Sequence, residues 1–262
     1  MEFVGGQTRV RLYAGVRRID IRTRLCNQEK FVRYRVVFPT SIRDGANVQE
    51  IPFGAIQRPD GIEFPAQNWM DWSDGQRGVT LFNRGLPGNN CADGMLMLSL
   101  LRSTCIVAYG FFGGYEPGMS SDTGFELGKE MVFDYALSPH AGDWRQAPRA
   151  GLEYNHPLLV QKTTCHAGDL PRRGGWLEVK HPQIVLSALK PGEAGGAILR
   201  LYEAAGRPAQ GVEISLPENL AAAEEVNLME DAGPALALDG RTLRLDFRPF
   251  EIKTIKLTGK GA

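Results

Sequence analysis

Apolar and polar residues alternate with a period of two along most of this chain. In Arg18–Leu25 the residues Ile19, Ile21, Thr23 and Leu25 share one face, and Asp20, Arg22 and Arg24 share the other. Successive side chains of a strand point to opposite faces, so the pattern predicts a half-buried strand. Lys30–Phe38 repeats it: Val32, Tyr34, Val36 and Phe38 form the apolar side, while Arg33 and Arg35 turn toward solvent or a polar cleft. Val79–Phe82, Met95–Leu101 and Met131–Leu137 are further strand-length apolar segments bounded by Gly, Asp, Asn or Pro. Nearer the C-terminus, Leu236–Leu238 and Leu243–Phe247 flank Asp239-Gly240, which predicts a type I′ hairpin because glycine tolerates positive φ. Thr254–Leu257 supplies a last strand. Helical signals are confined to Ala147–Tyr154 and the Ala- and Glu-rich Asn219–Val226, both too short to be stable without packing.

With 31 Gly and 16 Pro punctuating many short strands, the chain is expected to be all-β, an assembly of antiparallel sandwiches. The strand–helix alternation of an α/β enzyme is missing. At about 150 residues per domain, the 262 residues make one large domain or two modest ones. A turn-rich, apolar-poor stretch from Thr163 to Gly175 is the natural boundary, giving a larger sheet system over 1–168 and a smaller sandwich over 169–262. Gly110–Gly128, with Phe111, Phe112, Tyr115 and Phe125, reads either as a functional loop or as a surface loop pinned by its own aromatics.

Charge and chemistry then narrow the function. Thirty basic residues balance thirty acidic ones, which removes the electrostatic footprint of a nucleic-acid binder. No apolar run reaches the length of a membrane span. Cys26, Cys91, Cys105 and Cys165 have no CxxC spacing, so they read as reduced thiols, which favours a cytoplasmic setting. The four histidines are dispersed, with no HxH, HExxH or HxD spacing, and no metal site or cofactor is expected from this chain. A GxSxG elbow and a phosphate-binding glycine loop are absent as well.

What stands out is polar and aromatic. Residues 64–75 hold Trp69, Trp72, Asp71, Asp74, Asn68 and Gln67. Sugars offer hydroxyls and an apolar C–H face, so carboxylates and amides beside aromatic platforms suit them; equally, both tryptophans could fill the core while Asp74-Gly75 turns. In residues 135–145 a strand is expected to end at Ser138-Pro139, after which His140, Asp143 and Arg145 cluster in a loop. There Asp143 either caps a short helix or meets a ligand. Arg102 ends the apolar strand Leu98–Leu101, where it pairs with a carboxylate or holds a substrate hydroxyl.

These segments carry a resemblance. Glu50-Ile-Pro-Phe-Gly54, Phe64–Asp71, Gly78–Arg84, Asp93–Arg102, Phe133–Trp144, Leu186–Pro191, Leu199–Glu203 and Pro249–Thr254, in that order, resemble the C-terminal region of family 38 glycoside hydrolases, the retaining α-mannosidases. The resemblance implies a galactose-mutarotase-like supersandwich, its N-terminus incomplete, followed by a small antiparallel β-sandwich. It also implies that the zinc, its ligands and the Asp nucleophile belong to an N-terminal α/β barrel, which nothing in Met1–Gly15 resembles. The chain is therefore expected to be a truncated piece, inactive by itself, whose partner is its own barrel and whose mannosides are met through the parent enzyme. A barrel face left bare leaves room for oligomers. Arg102 is the position matched to an arginine that this family lends to the pocket rim. Asp71, His140 and Asp143 are weaker candidates for substrate contact, and no catalytic residue is expected here. Two other readings compete: a carbohydrate-binding module without chemistry, and a free-standing aldose epimerase. The epimerase is disfavoured because no Glu has a claim to face His140.

Overall fold

The computed structural model describes residues 6–105, 122–169, 171–217 and 220–259. Strands take up 51 % of the described residues and helices 7 %, so the all-β reading holds. Contacts divide the chain into two compact units, one running to Ile51 and from Ile56 to Ala147, the other comprising Pro52–Ala55 and Pro148–Ala262. The expected boundary at 168/169 falls in a stretch, 156–177, that has no helix or strand among its described residues.

The first unit is a sandwich built from β1 (Gly6–Leu12), β2 (Ile19–Cys26), β3 (Arg33–Pro39), β4 (Ala46–Ile51), the Ile56-Gln57 end of β5 (Gly54–Gln57), β6 (Phe64–Pro65), β7 (Trp69–Ser73), β8 (Arg77–Asn83), β9 (Gly88–Ala92), β10 (Met95–Arg102) and β11 (Glu130–Ala141). One sheet runs β1-β2-β11-β8-β7-β4-β5 and the other β3-β10-β9-β6. Between them lies a core of Ile21, Met70, Trp72, Leu81 and Tyr135 from the first sheet and Cys91, Leu96, Leu98 and Leu100 from the second. Tyr34, Val36 and Phe38 pack against it, as the alternation along β3 requires. Burying each such large side chain contributes about 1.5–3 kcal/mol. At the opposite border β1 ends the large sheet with every residue exposed, and sets Arg9 across from Arg22 and Arg11 across from Asp20.

Two expectations change here. β11 does not end at Ser138-Pro139 but continues to Ala141, with Pro139 paired to Val79 and His140 to Gly78. Pairing of β11 with β2 stops at Leu137, so Pro139 has a strand neighbour on one side only and its missing N–H leaves no ladder bond unmade. Trp69 and Trp72, three residues apart on β7, point to opposite faces. Trp72 enters the core and donates its indole N–H to the Ile42 carbonyl at 2.9 Å, whereas Trp69 stacks on Trp144 on the other side, with centroids 5.8 Å apart.

Helix α1 (Ala147–Asn155) forms where the apolar spacing placed it. The second unit then holds β12 (Glu178–Val179), β13 (Ile184–Pro191), β14 (Ala197–Glu203), β15 (Ala209–Ser215), β16 (Leu220–Val226), β17 (Ala235–Leu236), β18 (Leu238–Asp239), β19 (Thr242–Phe247) and β20 (Ile252–Gly259). Its sheets, β12-β15-β19-β18 and β13-β14-β20-β16-β17, enclose Leu199, Leu201, Val212, Ile214, Leu243, Leu245, Phe247, Ile255 and Leu257. The segment expected as a second helix is β16. Pairing with β20 and β17 and burial of Ala223 and Val226 override the helical preference of Ala and Glu. The β18–β19 hairpin pairs Asp239 with Thr242, so Gly240-Arg241 makes the turn; positive φ falls on Gly240 alone, which is type II′ rather than I′.

Candidate functional site: a cleft around Arg102 and a buried Asp–His pair

Arg33 and Arg35 face away from the core on β3, and the structure supplies their partner. Glu63, just ahead of β6, accepts from Arg35 Nη2 at 3.1 Å, from Arg33 Nη1 at 3.4 Å and from Ser99 Oγ at 2.5 Å. Desolvation works to raise the Glu63 pKa, but the Ser99 hydrogen bond and the two guanidinium groups outweigh it and hold the carboxyl below its usual range. Ser99 reaches this face because it alternates with Leu98 and Leu100, which enter the core. A register shift between Ser99 and Leu101 then brings Arg102 opposite Arg33.

The result is a cleft of about 390 Å³, lined among others by Glu63, Phe64, Leu86, Pro87, Ser99 and Arg102. Arg102 is exposed and forms no ion pair among the described residues. Phe64 is covered by the Arg58 guanidinium, 4.6 Å from its ring centroid. A fixed carboxylate, a guanidinium and an aromatic ring at one opening can hold a hydroxylated ligand. Retaining hydrolysis, by contrast, uses two carboxyl groups about 5–5.5 Å apart, one of them a proton donor. Among the described residues Glu63 is the one carboxylate lining this cleft, and its environment favours the ionised form.

Asp71 and His140 come together elsewhere, on the face of the large sheet turned away from the sandwich core. His140 Nε2 lies 2.7 Å from Asp71 Oδ2, and Thr80 Oγ1 donates to the same oxygen at 2.6 Å. The His140 side chain is only 4 % exposed and that of Asp71 is wholly buried. Burial would lower the His140 pKa, but the hydrogen bond and charge of Asp71 prevail and raise it. The ring lies over Gly78, where a Cβ would stand 2.4 Å from Cε1. Beyond β11 the chain turns through Gly142, and Asp143 caps the 3₁₀ turn Trp144–Gln146 by accepting the Arg145 N–H at 3.1 Å. Its other oxygen is engaged by the Arg145 guanidinium. Of the four residues singled out in the sequence, Asp71 and His140 are thus joined, Asp143 lies three residues beyond His140 in the chain, and Arg102 is on the other sheet.

Sequence reasoning missed Glu63, since no spacing links it to β3; the one available signal was the pair of arginines on a polar face, which demand an acid. It also missed Glu50, buried at the end of β4. Burial pushes the Glu50 carboxyl up to about 7, against the pull of backbone N–H groups of Asn68, at 2.6 Å, and Trp69. Among the described residues no three His, Cys, Asp or Glu side chains converge on a point where a metal could sit, so the residues present do not fit a zinc site. All four cysteines are free, and burial pushes the Cys91 thiol up to about 12. The loop expected at Gly110–Gly128 lies outside the described residues up to 121. Beyond that, Phe125 is buried with its ring edge-on to Phe31.

Comparison with known proteins places this architecture. Residues 6–106 match the sequence model of the glycosyl hydrolases family 38 C-terminal domain, and residues 183–255 that of the family 38 C-terminal beta sandwich domain. Alpha-mannosidase 2C1 of Homo sapiens is 31 % identical over 243 residues, a match covering 85 % of this chain and 21 % of that protein. Alpha-mannosidase G of Dictyostelium discoideum is 26 % identical over 259 residues, covering 91 % and 22 %. A crystal structure of a glycosyl hydrolase family 38 protein from Enterococcus faecalis superimposes with a TM-score of 0.82 at 24 % identity, over 96 % of this chain and 29 % of that one, and so shares the fold. The chain spans about a fifth of the length of the curated relatives it matches. With both domain types present and in order, the chain belongs to glycosyl hydrolase family 38, of which it forms the C-terminal β region.

Proposed function

We propose that this chain is the accessory β region of a retaining, zinc-dependent α-mannosidase, and that it lends the rim of the mannose pocket Arg102 rather than any group that breaks bonds. The zinc and the nucleophile belong, on this reading, to a barrel elsewhere in the parent protein. The observation that carries it is the cleft at Arg102, where an exposed guanidinium stands beside a carboxylate already fixed by Ser99, Arg33 and Arg35. Such a guanidinium presents several N–H donors in a planar fork and can grip sugar hydroxyls. Packing against a partner module is supported by Leu158, Leu159 and Val160, which are 94, 99 and 93 % exposed in a stretch without regular structure. Three consecutive bare aliphatic side chains are unusual on a free surface and typical of an interface. The four free cysteines support a reducing, cytoplasmic setting. Asp71, His140 and Asp143 hold the end of β11 and the turn beyond it.

Two measurements test this reading. The purified chain with p-nitrophenyl α-mannoside and zinc is expected to give no turnover, and zinc-dependent hydrolysis by the chain alone would refute the accessory role. In the parent protein, Arg102→Ala is expected to raise KM for a mannoside by about tenfold or more, the worth of one charge-assisted hydrogen bond. An unchanged KM would remove Arg102 from the rim.

A further inference from the structure

The second unit carries a cleft that the accessory role leaves unused. Leu177 and Val179 turn into its core, so the alternation of the chain sends Trp176 and Glu178 outward. Glu178 pairs with Ser215 across β12 and β15. Arg241, in the neighbouring turn, is held in place by Nε donating to the Leu216 carbonyl at 2.8 Å, while its own carbonyl accepts the Leu216 N–H at 2.8 Å. Gly175, Trp176, Leu177, Glu178, Ser215 and Arg241 line an opening of about 530 Å³, within the range of roughly 300–1,000 Å³ usual for small-molecule sites.

Trp176 is 81 % exposed, whereas Trp69 and Trp72 are buried and Trp144 stacks on Trp69. An indole left bare at the mouth of a cleft is a flat, amphipathic platform. Beside it Glu178 has no ion-pair or hydrogen-bond partner among the described residues, and neither does the Ser215 hydroxyl. Among the described lining residues the charges of Glu178 and Arg241 are opposite in sign and equal in number. That combination suits neither an anion nor a purely apolar partner; it suits a neutral polyol with one C–H face. We propose that this cleft binds a neutral hexopyranose, stacked on Trp176 with ring hydroxyls hydrogen-bonded to Glu178 and Ser215. The site belongs to the second unit alone and does not depend on the role of Arg102.

The test uses the whole chain. Titration with methyl α-D-mannopyranoside is expected to give a saturable blue shift of the tryptophan emission, since Trp176 is the strongly exposed indole, with a half-point in the millimolar range. By calorimetry, Trp176→Ala should weaken binding about tenfold, Trp176→Phe should restore part of it, and Glu178→Ala should weaken it severalfold. Position 176 is exposed, so these variants should keep the wild-type far-ultraviolet dichroism. No saturable signal up to about 100 mM sugar, far above a millimolar Kd, overturns the proposal, as does equal affinity in wild type and Trp176→Ala.

Discussion

Glu50 and His140 illustrate how a buried titratable group is read from its surroundings. For Glu50 the folded-state pKa of about 7 lies above the ordinary 4.5, so its carboxyl favours the fold when protonated. That contribution is complete below pH 4.5 and is lost as pH rises to about 7. Glu50→Gln is expected to flatten the stability profile over this window and to leave the variant more stable than wild type above pH 7, by up to about 3 kcal/mol at 1.36 kcal/mol per unit. Urea unfolding at pH 5 and pH 8 measures it, and parallel profiles would refute it. His140 also has a raised pKa, so its stabilising charge is present below about pH 6.5 and fades as pH climbs through the higher folded value. His140→Ala leaves the wholly buried Asp71 carboxylate with Thr80 alone at Oδ2, and should cost about 3 kcal/mol at pH 6 and less at pH 9. Neither environment is legible in the sequence. The partners Asp71 and His140 are 69 positions apart, and it takes the β7–β8–β11 register to bring them to 2.7 Å.

At the scale of elements, the pattern of alternation does most of the specifying. β2 and β3 fall where period two puts them, because each has one face toward the core, and β8, β10 and β11 fall on the bounded apolar runs. The departures have local causes. β16 has too few apolar residues to announce a strand, and its partners β20 and β17 decide its form. The end of β11 was hidden by Pro139, which reads as a terminator unless its one-sided pairing is known. Of the candidate site, Arg102 could be placed from its strand, and so could the polar side of β3. Glu63 could not, because it sits in the connection before β6 and its bonds reach across the face of one sheet to β10 and β3. Gly78 shows how tightly β8 and β11 are matched: a methyl group there would overlap both the His140 ring and Ser73 Cβ, at 2.4 and 2.6 Å. Gly78→Ala should therefore destabilise the first unit by about 1–3 kcal/mol, read as a lower urea midpoint; an unchanged midpoint would mean the ring moves aside without penalty.

At the scale of the molecule, the large sheet stops at β1 among the described residues, none of which pairs with the outer side of that strand. A sheet that ends in the open invites a second copy to add itself, and repeated addition leads to fibrils. The side chains argue against this outcome. Two copies meeting antiparallel with Arg9 at the symmetry point would set Arg9 against Arg9, and with Val10 there would set Arg9 against Arg11. Like charges directly opposed weaken a ladder. Replacing Arg9 and Arg11 together by Thr should let light scattering grow on gentle heating while the wild-type solution stays clear. Two arginines thus act as a repellent fringe, keeping an open edge from becoming the seed of a polymer.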